Sequence, residues 1–102
     1  MQKLTDKTFD KYLGDSTPLF VMFHASFSGP CRIAMPNFEE AAARRGNQIR
    51  FATFDLDGNV EIPERYGLRS IPLFILFVDG KPNDPVTGAL STDQILEIVK
   101  DV

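Results

Sequence analysis

The chain has 102 residues, 43% of them hydrophobic, and a formal net charge of -3 at pH 7. That length predicts one domain over residues 1–102 with one modest core, and its scattered charges include no basic run to attract a nucleic acid or an anionic membrane. No apolar run approaches the length of a bilayer-spanning helix. A lone cysteine excludes an internal disulfide, and with a single histidine beside it no Cys/His metal site is expected. The first ten residues, MQKLTDKTFD, are polar and carry no apolar core of a signal peptide, so residence in the cytoplasm is the expectation.

The spacing of Phe9, Tyr12 and Leu13 predicts a helix over Thr5 to Leu13, with Thr5 as its cap. LFVMF, Leu19 to Phe23, follows as an almost unbroken apolar run. It is too short for a helix and suits a strand buried on both faces. The longest helix is predicted from Pro30 to Arg45, with Met35, Phe38 and Ala42 on one stripe, a kink at Pro36, and a stop at Gly46. IRFATFDL, Ile49 to Leu56, alternates and reads as a strand, and a short helical piece is expected over Val60 to Arg65.

LFILFV, Leu73 to Val78, is the second doubly buried strand. Asp79-Gly80 then favours a tight hairpin turn, which predicts an antiparallel strand over Val86 to Ala89. STDQ opens the final helix. Ser91 can cap it, Gln94 can bond back, and Ile95, Ile98 and Val99 carry it to the end. The order β-α-β-α-β-α-β-β-α gives an α/β fold. Its mixed central sheet has parallel crossovers first, an antiparallel hairpin late, and helices on both faces.

Chemistry concentrates in Ser28-Gly29-Pro30-Cys31, which follows a buried strand and opens the longest helix. Backbone N–H groups at a helix N-terminus favour negative charge. A cysteine at position 28 would be pushed toward its nucleophilic thiolate there. A serine hydroxyl gains little from the same field, and no His-Asp pair is evident to activate it. Ser28 therefore reads first as an N-cap accepting from the N–H of Cys31. Cys31, one step deeper, reads either as an inert small apolar group or as a thiol without its partner. A second feature is Ile71-Pro72 at the mouth of a core strand, the one setting in which a cis peptide is common.

These residues resemble the thioredoxin family over nearly the whole chain. VMFHASFSGPCRIAMPNFEEAA is similar to its active-site strand and helix, YGLRSIPLFILFVDGK to its cis-proline region, and TGALSTDQILEIV to its closing strand and helix. The resemblance implies a thioredoxin-like sheet with two helices on each face, no cofactor, and disulfide exchange with a protein or peptide. A thioredoxin reductase is the implied reductant and a monomer the implied state. By position, Ser28 replaces the attacking cysteine, Cys31 is the resolving cysteine, and Pro72 is the cis-proline. Phe27, Gly29, Pro30, Ile71 and Gly88 line the substrate groove, where the backbone of Ile71 pairs with substrate. The family's buried acid falls at Met22 and its lysine partner near Thr53. Phe27 stands for the tryptophan before the motif and Leu73 for the threonine after the cis-proline. Both an engineered Cys-to-Ser change and a natural loss fit Ser28, but the first alone does not account for Met22 and Thr53.

Three functions follow. The first is an oxidoreductase scaffold with its dithiol exchange disabled and little or no turnover. The second is a non-redox module that holds an extended peptide against Phe27 and Ile71. The third is monothiol chemistry at Cys31, such as exchange with glutathione.

Overall fold

Ten elements are laid out along residues 1–102 in the computed structural model. They are β1 (Gln2–Leu4), α1 (Phe9–Leu13), β2 (Leu19–His24), α2 (Gly29–Arg45), β3 (Arg50–Asp55), α3 (Glu61–Arg65), β4 (Leu73–Val78), β5 (Lys81–Pro82), β6 (Val86–Thr87) and α4 (Thr92–Ile98). The strands form one mixed sheet in the order β1-β3-β2-β4-β5, with β6 also on β4. β1 and β2 both run parallel to β3, whereas β4 runs antiparallel to β2.

The apolar runs of β2 and β4 are unbroken because both faces of the sheet are covered. On one face, Phe20, Met22, Phe51, Phe74 and Leu76 pack with Cys31, Ala34, Phe38 and Ala41 of α2 and Ile95 of α4. On the other, Leu19, Val21, Phe23, Phe54, Ile75 and Phe77 meet Phe9 of α1 and Ile62 of α3. Two helices therefore cover each face, in agreement with the sequence reading. The stripe of α2 is centred one residue away from the one predicted. Ala34, Phe38 and Ala41 are buried, while Met35 and Ala42 pack at its edge. Small alanines let the helix approach the sheet closely, and Phe38 fills the remaining space against the rings of Phe20, Phe51 and Phe74.

Several boundaries differ from those expected. α1 begins only at Phe9. Thr5 still closes the turn ahead of it, its Oγ1 accepting from Lys7 N–H and its own N–H donating to Thr8 Oγ1. α4 stops at Ile98, short of the end, and Arg45 donates to the carbonyls of Val99 and Val102 beyond it. The edge strand is split. Lys81–Pro82 pairs with the end of β4 and Val86–Thr87 with its start, because Pro82 and Pro85 have no N–H to continue a ladder between them. Asp79 and Gly80 both have positive φ, at 53° and 77°, as the hairpin reading required. No helix is long and apolar enough to cross a membrane.

Candidate functional site

Topology assembles the site at one end of the sheet. β2 ends at His24, beside Asp55 of β3, and Phe23 pairs with Leu73 at the start of β4. The residues that follow β2 and those that precede β4 therefore meet at that end. A shallow hollow lined by Asp10, Leu13, Asp15, Asp79 and Gly80 lies at the opposite end and takes no part.

From β2 the chain turns through Ala25, Ser26 and Phe27, closed by Ser28 N–H donating to the Ala25 carbonyl at 3.2 Å. Ser28 is extended, at φ -90° and ψ 119°, and its Oγ accepts from Cys31 N–H at 3.3 Å. This is the cap expected from sequence, and it holds one of the lone pairs a nucleophile would need. Pro30 sits in the first helical turn, where its missing N–H leaves no gap in the ladder. Further along, Pro36 stands inside the helix and leaves the Arg32 carbonyl without its usual donor. Gly46 ends α2, but not through the left-handed conformation common at that position. Its φ is -63°, and what demands glycine is the Ala42 carbonyl oxygen 2.5 Å from where a Cβ would stand.

Cys31 is only 3% exposed and belongs to the core cluster beneath α2. Ile71, 40 positions further along the chain, packs against that same cluster at its edge. The Ile71-Pro72 peptide is cis. Pro72 is buried, and its carbonyl accepts from Gly88 N–H at 3.1 Å. Gly88 has φ 115°, a conformation that disfavours any side chain. Phe27, Gly29 and Pro30 are exposed above, and Ile33 on the next turn of α2 adds a second exposed apolar side chain that the sequence reading passed over. The result is an apolar rim around a capped helix N-terminus.

His24 makes no hydrogen bond to Ser28 and stands instead beside Asp55. Burial pushes its pKa below the ordinary value; Asp55 and Asp57 draw it back up, and Lys3 adds to the depression. Ser26 Oγ donates to Asp57 at 3.2 Å, tying the loop between β2 and α2 to the segment after β3. Sequence reasoning missed this tie and the His24–Asp55 pairing, since both depend on strand register.

A sequence model described as Thioredoxin matches residues 1–101. The chain belongs to the thioredoxin family. It is 38% identical to Thioredoxin 1 of Synechococcus elongatus over 88 residues, covering 85% of this chain and 82% of that protein. It is 36% identical to a thioredoxin of Mycobacterium tuberculosis over 101 residues, covering 98% and 87% respectively. Among solved structures, the Malassezia sympodialis thioredoxin Mala s 13 superposes with a TM-score of 0.88 at 26% identity, over 97% of this chain and 89% of that one. Within this thioredoxin frame one cysteine is present, and residue 28 is serine.

Proposed function

We propose that this chain is one thioredoxin-like domain, a thiol–disulfide oxidoreductase scaffold in which Ser28 occupies the position of the attacking thiol and Cys31 that of the resolving thiol. The observation that carries the reading is the Ser28 cap on Cys31, with Ile71, the residue before cis Pro72, packed on the cluster that holds Cys31. With a thiolate at position 28, attack on a substrate disulfide would form a mixed disulfide and release one substrate thiolate. Cys31 would then displace the second substrate sulfur, closing an internal disulfide. Two electrons pass to substrate, and a reductase of the thioredoxin reductase class would restore the pair.

Ser28 lacks the acidity to begin that sequence, so turnover as the chain stands is negligible. The groove bounded by Phe27, Gly29, Pro30, Ile71, Pro72 and Gly88 suits an extended segment of a disulfide-bearing protein or peptide, paired through the backbone at Ile71. We place the protein in the cytoplasm, as a monomer.

The test is Ser28→Cys. The variant is expected to reduce insulin when coupled to dithiothreitol and to form a disulfide between the introduced thiol and Cys31. A variant that folds yet forms no such bond overturns the proposal. Iodoacetamide kinetics on the unaltered chain provide a second check. Buried Cys31 is expected to label far more slowly folded than in urea, and fast labelling of the folded protein would favour monothiol exchange instead.

A further inference from the structure

A cleft of ≈ 630 Å³ lies between the β1–β3–β2 part of the sheet and the flank of α2, separate from the groove above. That volume is in the range of small-molecule sites. Register explains its lining. Lys3 pairs with Thr53, Thr53 with Met22, and two positions on His24 pairs with Asp55. Strand side chains alternate between faces, so Lys3, Thr53, His24 and Asp55 all stand on the α2 side. Met35 and Glu39 of α2 form the opposite wall, and Asp57 closes one end.

Thr53 distinguishes this cleft from an ordinary acidic surface. It is the one buried polar residue, at 7% exposure. No protein group hydrogen-bonds its hydroxyl, yet no side-chain polar atom is sealed away without a partner. The hydroxyl therefore faces the cleft that Thr53 lines, where it can bond an entering group. Glu39, Asp55 and Asp57 join no ion pair, and neither does Lys3. Three carboxylates against one ammonium leave an excess of negative charge, which persists with the amino group of Met1 at the rim included. Burial keeps His24 uncharged at neutral pH, so it does not cancel that excess. The acids do not converge closely enough to hold a metal ion. Charges spaced in this way suit an organic cation with spaced ammonium groups.

We propose that the cleft binds a small aliphatic diamine or polyamine, its ammonium groups set against Asp55, Asp57 and Glu39 and one N–H donated to the Thr53 hydroxyl. Lys3 is then a competing cation, which limits affinity.

The test is titration of isotope-labelled protein with 1,4-diaminobutane and with spermidine, read from amide chemical shifts. Saturable shifts at Lys3, Thr53, His24 and Asp55 are expected. Asp55→Asn should weaken binding about tenfold, the usual scale for losing a charge-assisted hydrogen bond. This variant keeps the oxygen that accepts from Asp57 N–H at 2.9 Å, so the local turn is preserved. Should it fail to fold, Glu39→Gln on the exposed face of α2 carries the same test. Thr53→Val should weaken binding severalfold, and Lys3→Gln should tighten it. Shifts that never saturate, or that spread equally to Asp10 and Asp15, overturn the proposal. So does an Asp55→Asn variant with unchanged affinity. If Lys3→Gln weakens binding and glycylglycine binds better than the diamine, the ligand is a zwitterion and the diamine assignment is wrong. Because the cleft excludes residues 28 and 31, Ser28→Cys should leave binding unaltered whether or not it restores disulfide exchange.

Discussion

At Ser28 an oxygen is enough to cap a helix where the proposed exchange would need a sulfur. The hydroxyl still accepts from Cys31 N–H, because capping needs only a lone pair at the right place. Ser28→Ala should therefore lower stability by about 1 kcal/mol, read from the urea midpoint, since an N-cap hydroxyl is worth that much. No change would mean the bond is not maintained in solution. His24 gives a pH signature. Its folded pKa lies below the ordinary 6.5, chiefly through burial. The unfolded chain then takes up the proton first, so His24's contribution is complete above the unfolded pKa and is lost as pH falls toward the folded one. Urea midpoints should drop as pH falls below the unfolded value of about 6.5, and His24→Gln should flatten that part of the profile. An identical slope in the variant would remove His24 as the cause.

Among the elements, the end of α2 gives a prediction whose sign discriminates. On helix propensity and dihedral angle alone, Gly46→Ala should stabilise by roughly 0.5 to 1 kcal/mol, because φ is already helical. The added Cβ would stand 2.5 Å from the Ala42 carbonyl oxygen, and backbone cannot yield cheaply. We expect a fall in melting temperature, and a rise would show that the end of α2 relaxes freely. α3 makes a related point about capping. It has only five residues and no cap of its own, and Val60, Glu61 and Ile62 donate their N–H groups to the Asp6 carboxylate instead. Desolvation works to raise the Asp6 pKa, but those bonds and the charge of Arg65 outweigh it, and the net shift is downward. The Arg65–Asp10 ion pair joins α3 to α1 on the same flank. Being exposed, that pair adds orientation more than stability.

Over the whole molecule, the sheet couples the two cores. Phe38 is the largest side chain that α2 sends into its core, fully buried among three other rings. Phe38→Ala should cost about 3 to 5 kcal/mol from lost transfer energy and the cavity left behind. Domains of this size are stable by only about 5 to 15 kcal/mol. A large drop in the urea midpoint is expected, and a loss below about 1 kcal/mol would show that the core collapses to fill the space. The same core holds Cys31 and carries Ile71 at its edge, so the site is as rigid as the packing beneath it.

The apolar runs, the Asp-Gly turn, the Ser91–Gln94 capping box and the Ser28 cap were all legible in the sequence, because each depends on residues within a few positions of one another. Local sterics and hydrogen bonding decide such features, whatever the rest of the chain does. The strand lengths were legible for the core and not for the edge. Burial sets β2 and β4, whereas two prolines and the free side of the sheet divide the final strand. What only the tertiary structure decided lies between distant segments: Asp6 capping α3, Ser26 bonded to Asp57, His24 facing Asp55, and Thr53 with Lys3 in a shared cleft. Those pairings follow from strand register or, for Asp6, from how α3 packs back beside β1, and a chain carries no local mark of which residue will lie opposite another until the sheet has formed.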